Sequence, residues 1–276
     1  MKNILFPTDF SENANHALKF ALKIAKDFGA KLHILNAYKM PYSSSSPMTR
    51  TLLETLEKSA EKDLLSCVNE IGNNPEYKDV EIKTKAIAGD VANSIDLYAN
   101  KMGIDLIVMG TKGASGLKEV LIGSNAEEVV THSDKSVLIV PENTNTFQIK
   151  RVAFAIDFEE INESTFFGSF ISFAKKYNSE TLFVNINQNN EVISSTKIEN
   201  QKSKLEQIFN EVDCSFHSEK HEDIVDGINA FVKNNKCDML AVLSRKHGFI
   251  EKIFHKSISN KLTCHTELPM FVVKEI

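Results

Sequence analysis

Short apolar runs alternate along this chain with longer stretches in which apolar residues recur at helical spacing. Asp105-Leu-Ile-Val-Met109 and Val137-Leu-Ile-Val140 are continuous runs, the pattern of strands buried on both faces of a parallel sheet. In the first half the pattern predicts strands at about 2–7, 31–37, 79–87, 105–110 and 136–140, with helices near 11–28, 50–72, 90–102 and 124–132. Strands separated by helices imply right-handed βαβ crossovers and a parallel sheet with helices on both faces. In such sheets ligands sit beyond the carboxyl ends of the strands, where the strand order reverses.

The same order is written twice. Asp105-Leu-Ile-Val-Met109 matches Asp238-Met-Leu-Ala-Val242 at an offset of 133 residues, and the same offset takes Ser124 to Ser257. It also takes His132-Ser-Asp-Lys-Ser-Val-Leu-Ile-Val140 to His265-Thr-Glu-Leu-Pro-Met-Phe-Val-Val273 without a gap. The openings correspond at a larger offset of 148, Ile4-Leu-Phe-Pro-Thr-Asp9 with Val152-Ala-Phe-Ala-Ile-Asp157, so the second half has the shorter middle. The polar stretch from Glu142 to Phe147 marks a linker. One domain is therefore expected over residues 1–144 and a second over 148–276.

Composition agrees with two folded cores. The 276 residues are 42% hydrophobic and 25% charged, a length for about two domains of common size. A net charge of −5 gives no electrostatic reason to expect a nucleic acid as partner. The apolar opening is too short for a signal peptide, and no run approaches the ~18 apolar residues of a membrane span. The chain reads as cytoplasmic. Cys67, Cys214, Cys237 and Cys264 are scattered without a C-x-x-C pair, so free thiols are expected rather than disulfides or a cysteine zinc site.

The stretch best suited to chemistry is Met109-Gly110-Thr111-Lys112-Gly113, followed by Gly116 and Gly123-Ser124. Glycine lets a ligand approach the main chain closely, so such a cluster can close backbone N–H groups on a phosphate. Ser124 stands three residues before Glu127 in the pattern of a capping box, which places a helix start, and the positive end of its dipole, at the end of the loop. An ordinary loop with an ordinary N-cap fits the same spacing. Neither G-x-G-x-x-G nor G-x-x-x-x-G-K-[ST] occurs, which demotes dinucleotide binding and P-loop chemistry. Topology sets Asp9 just past the first strand, Ala37 at the end of the second and Gly110 after the fourth, so all three can face one crevice.

With these residues in view, the chain resembles the universal stress protein family in its tandem two-domain form, over nearly its whole length. Gly110-x2-Gly113-x9-Gly123-Ser124 fits the G-x2-G-x9-G-[ST] pattern of the family's nucleotide-binding members, and Pro7-Thr8-Asp9-Phe10-Ser11 fits its opening. The resemblance implies two flavodoxin-like domains, each a doubly wound, parallel five-stranded sheet, with ATP across the strand ends of the first. It implies that Asp9, beside Pro7 and Thr8, faces the ribose and phosphates, with Mg2+ near the nucleotide. Ala37 would offer its backbone to adenine. Met109, Gly110 and Gly113 would line the ribose and phosphates, and Gly123, Ser124 and Asn125 would hold the phosphates. It further implies that the two halves pair as a pseudo-twofold dimer within the chain, and it leaves a homodimer open.

The second half departs from the pattern where the chemistry would lie. At the offset of 133, Gly110 becomes Leu243, Gly113 becomes Lys246 and Gly123 becomes Lys256, while Ser257 keeps its serine. This half is expected to bind no ATP, although Arg245, Lys246, His247, His255 and Lys256 make its loop basic. Cys214, His217 and His221 form a weak metal-ligand pattern on a segment expected to span a strand end and a loop. No G-x-S-x-G elbow accompanies Ser115, and nothing near the glycine loop resembles a base positioned to activate water. The expected function is an ATP-binding stress-response regulator with no catalytic residues and at most slow hydrolysis. The alternatives are a metal-dependent ATPase or phosphotransferase using Asp9, and a small-molecule or lipid-binding module using the second half.

Overall fold

The computed structural model describes residues 1–39, 47–111, 123–144, 147–157, 165–187, 195–245 and 268–275. The chain divides into two compact units, Met1–Val137 and Leu138–Ile276.

Unit 1 runs β1 (Asn3–Pro7), α1 (Glu12–Phe28), β2 (Lys31–Tyr38), α2 (Pro47–Gly72), β3 (Ile82–Ala88), α3 (Val91–Met102), β4 (Leu106–Gly110) and α4 (Ser124–His132), and β5 (Val137–Val140) starts where the unit ends. Its strands lie in the order β3-β2-β1-β4, all parallel. Ile107 donates to the Ser136 carbonyl at 3.0 Å, which brings the start of β5 beside β4. The chain steps outward from β1 to β3 and then crosses back to β4, so direction reverses between β1 and β4. That reversal opens a crevice at the carboxyl ends of these two strands.

Local chemistry explains the elements. Ser11 starts α1 by accepting the Ala14 N–H at 3.2 Å, and Gly29 ends it at φ +60°, the left-handed conformation that glycine tolerates best. Between these caps Ala17, Ala21, Ile24 and Ala25 are fully buried, a flat face of mostly small side chains that lies close on the sheet. Helix α2 starts at 47 rather than 50, because Pro47 suits a first helical turn, where the missing N–H costs nothing. The third strand begins at 82 rather than 79. Residues 74–80 turn instead, with the Asn74 side chain accepting the Glu76 N–H at 2.9 Å and Val80 donating to the Tyr77 carbonyl.

Unit 2 repeats the plan with β6 (Arg151–Ala155), a 3-10 turn at Thr165–Phe167, α5 (Gly168–Tyr177), β7 (Glu180–Asn187), α6 (Ser195–Ile208), β8 (Cys214–Lys220), α7 (Ile224–Asn234), β9 (Met239–Ser244) and β10 (Met270–Lys274). Its parallel order is β8-β7-β6-β9-β10. The core here is aromatic. Phe154 meets Phe170 edge-on at 5.0 Å, Phe183 meets Phe209 at 4.9 Å and Phe170 meets Phe271 at 5.3 Å. Both units thus have the α/β, parallel-sheet architecture expected of them.

Candidate functional site

The crevice of unit 1 is a cavity of ≈ 330 Å³ at the carboxyl ends of its strands, within the size range of small-molecule sites. Pro7, Thr8 and Asp9 reach it from the end of β1, and Leu35, Ala37 and Lys39 from β2. Val91 and Ile95 enter from α3, Met109, Gly110 and Thr111 from the end of β4, and Gly123, Ser124, Asn125 and Ala126 from the start of α4. Every residue expected at the nucleotide therefore lines one cavity, except Gly113, which lies outside the described residues.

The loop after β1 is held by its own backbone and by β2. Thr8 is buried, donates its N–H to the Leu35 carbonyl at 2.8 Å and accepts the Asn36 amide on its own carbonyl at 2.8 Å. Its hydroxyl accepts the Phe10 N–H at 2.9 Å, and Phe10 sits at φ +60°, a costly conformation for a bulky side chain that persists only where the surroundings enforce it. Asp9 is exposed in this turn and accepts the Ser11 N–H through Oδ1 at 3.1 Å. It therefore shapes the entry to α1 while lining the crevice.

Gly110 has a packing reason as well as a position. A Cβ there would come within 3.1–3.2 Å of the side chain and carbonyl of Asn13, so the first turn of α1 rests directly on the β4 backbone. The Asn13 amide donates to the Thr111 hydroxyl at 3.4 Å. Gly123 donates to the Thr111 carbonyl at 2.5 Å, so the end of β4 and the start of α4 meet at the cavity. Met109 is 7% exposed and packs at the strand end while lining the cavity.

The helix start differs from the expectation. Ser124 is the first residue of α4 and not its N-cap; Gly123 takes that place with extended backbone (φ −71°, ψ 157°) and makes no side-chain cap hydrogen bond. The capping box from Ser124 to Glu127 is therefore not formed, and Glu127 instead donates its N–H to the Gly123 carbonyl at 3.1 Å. A glycine N-cap brings no side-chain oxygen to the first-turn N–H groups, which face the cavity together with the positive end of the helix dipole. This donor set suits a phosphate, and the exposed Asp9 carboxylate suits a divalent cation that a nucleotide would carry.

Lys39, Val91 and Ile95 were missed in the sequence. Residues 35, 37 and 39 share one face of the chain leaving β2, so strand alternation was the signal that could have found Lys39 once Ala37 was placed by its strand end. Val91 and Ile95 stand one turn apart on α3, whose N-cap Asp90 accepts the Asn93 N–H at 3.1 Å.

At the equivalent place in unit 2 a different arrangement occurs. Arg245 donates through Nη1 to Asp157 Oδ1 at 2.8 Å and through Nε to Glu275 Oε2 at 2.6 Å, with its side chain only 13% exposed. Lys274, also buried, donates to the Ser244 hydroxyl at 3.2 Å. Leu243, in the position of Gly110, is buried. The strand ends of β6, β9 and β10 thus hold a guanidinium between two carboxylates. Lys246, His247, His255, Lys256 and Ser257, and with them the rest of the basic loop, lie outside the described residues.

The other candidates gather no chemistry among the described residues. Cys214 and His217 lie on β8, where His217 Nε2 pairs with the Ser215 hydroxyl at 2.9 Å and its ring packs on Phe231. His221 accepts the Asp223 N–H at 3.1 Å. No group of three or more metal-capable side chains occurs among the described residues. Cys67, Cys214 and Cys237 are free, and burial pushes the Cys67 and Cys237 thiols up to about 11, away from the thiolate form that reactive cysteines use. Ser115 and Cys264 lie outside the described residues. No helix among the described residues is long and apolar enough to cross a membrane.

Two doubly wound α/β units, the first with a glycine-rich, strand-end crevice, define the class of this protein. The sequence profile of the Universal stress protein family matches it twice, over residues 1–141 and 149–274. The chain belongs to the universal stress protein family, in a tandem two-domain form. Two universal stress proteins of Methanocaldococcus jannaschii are each 34% identical to it, one over 145 residues (50% of this chain, 81% of the relative) and one over 154 residues (50% and 94%). The crystal structure of a universal stress protein from Archaeoglobus fulgidus shares the fold across both units, with a TM-score of 0.71 and 20% identity over 99% of this chain and 96% of that one.

Proposed function

We propose that this chain is an ATP-binding stress-response regulator that holds one nucleotide, in its first unit, and hydrolyses it slowly at most. The observation that carries the reading is the contrast between the two strand ends. Unit 1 brings two stretches of glycine-bearing backbone and an N-cap without a side chain to one cavity. Unit 2 holds the Asp157–Arg245–Glu275 cluster there. In this reading the N–H groups of Gly123, Ser124 and Asn125 hold the phosphates, and Met109 and Gly110, with Gly113 from the loop, line the ribose and phosphates. The Ala37 backbone meets adenine between the apolar side chains of Val91 and Ile95. Pro7 and Thr8 set the turn from which Asp9 faces the ribose and any Mg2+ on the phosphates. The same reading places the protein in the cytoplasm, where ATP is plentiful, without a nucleic acid as ligand.

Calorimetric titration tests it. We expect one ATP per chain and at least a 100-fold loss of affinity in Gly123→Lys, whose extended backbone accepts any residue. Two equivalent sites, or unchanged affinity in that variant, overturns the proposal.

A further inference from the structure

Among the described residues of unit 1, one face of the edge strand β3 has no helix of its own. Right-handed crossovers place α1 and α2 on one face of the sheet and α3, which crosses back, on the other. Parallel partners share a face, and the register sets His33, Leu35 and Ala37 of β2 beside Lys83, Lys85 and Ile87 of β3. His33 meets the Tyr98 hydroxyl of α3 at 3.0 Å, so this row belongs to the α3 face. Helix α3 packs over β2 and β1, whereas β3 is covered by α2 on its other face. What remains between β3 and α3 is an open groove of ≈ 590 Å³.

The groove has an apolar floor and a basic rim. Ile87, Leu97 and Met102 line it, and the last two are 64% and 37% exposed. Lys83 and Lys85 lie along the strand, and Lys101 comes from the last turn of α3. Asp90 is the one carboxylate among the described lining residues, and it caps the start of α3. Three lysines therefore stand against one acid in a chain whose net charge is −5. Doubly wound sheets bury both faces, and the layer on this face is made by helices packed side by side.

We propose that this groove docks an acidic amphipathic helix of a partner protein, with its apolar stripe on Ile87, Leu97 and Met102 and its carboxylates on Lys83, Lys85 and Lys101. Helix-in-groove recognition uses anchors at i, i+3/i+4 and i+7. The 12 residues of α3, about 18 Å long, give room for three turns of such a helix. The docked helix completes the layer that α3 begins. The same lysines oppose edge-to-edge pairing of β3 with a second copy. The proposal is independent of whether unit 1 binds ATP.

A fluorescein-labelled helical peptide of about 16 residues, with leucines at that spacing and glutamates on both flanks, is the probe, read by anisotropy against the full chain. Its counterpart with lysine for glutamate is the control. We expect the acidic peptide to bind at least tenfold more tightly than the control, to lose at least tenfold affinity in Lys85→Glu and in Lys101→Glu, and to weaken severalfold in Leu97→Gln. Leu97→Gln leaves the charge untouched at an exposed position, so it separates docking from loss of fold, and unchanged thermal unfolding of each variant confirms the distinction. Backbone amide signals of β3 and α3 should shift on titration. Equal binding of the two peptides, no binding at millimolar concentration, or indifference to all three substitutions overturns the proposal. So does displacement of the peptide by a second copy of the chain, or a 16-carbon fatty acid that occupies the groove where the peptide does not.

Discussion

His33 is an imidazole with little room for charge. It is 2% exposed, with Nδ1 against the Tyr98 hydroxyl at 3.0 Å and Nε2 against the Asn3 side chain at 3.4 Å. Burial holds its pKa below the ordinary 6.5, Lys83 and Lys31 push the same way, and Glu81 opposes them. The folded state therefore binds this proton less readily than the unfolded chain, which fixes the sign: stability is lost as pH falls below about 6.5. Urea unfolding should show wild type losing more stability than His33→Gln between pH 7.5 and 5.5; parallel losses in the two proteins defeat the prediction. At this scale the sequence was legible for Asp9, Ala37 and Gly110, whose places follow from strand ends. It was not legible for Ser124. Glycine and serine both serve at an N-cap, and only the backbone angles at Gly123 decide which of the two is the cap.

Each unit fastens two strands with one aspartate. Asp105 Oδ2 accepts the N–H groups of Lys2 and Asn3 at 2.5 and 2.9 Å, and Asp238 Oδ2 accepts those of Lys150 and Arg151 at 2.8 and 3.0 Å. The side chain before β4 thus sets the start of β1, and the one before β9 sets the start of β6. Asp105→Ala should destabilise the first unit by about 1–2 kcal/mol in denaturant unfolding, and Asp105→Asn, which keeps an acceptor oxygen, by clearly less. Equal effects from both substitutions reject the clamp. The repeat exposed these two aspartates as matching letters, but a side chain bonding across about a hundred residues leaves no periodic trace. Helix and strand order was readable because caps, glycines and apolar periods are local. The beginnings of α2 and β3 were not, since proline at N1 and an asparagine turn compete with the apolar pattern.

For the whole molecule, two-fold repetition and an asymmetric pair of glycine loops were plain in the chain. The phenylalanine cluster around Phe154 and the Arg245 cluster were not, because contacts among distant segments exist only after folding. If unit 1 holds ATP as a regulator, phosphate release should run far below the ~10 s⁻¹ median of enzymes. A purified preparation turning over at that rate removes the regulator reading. Asp157 already has a cation in Arg245, and Glu275 shares it. On the proposed reading, ATP at 100 times its dissociation constant adds about 2.7 kcal/mol to unit 1 alone. Unit 2 carries its counter-ion covalently and gains nothing from the ligand. A single polypeptide then contains both a gauge and its zero mark, one fold whose opening rate follows nucleotide supply and one that stays the same when supply fails.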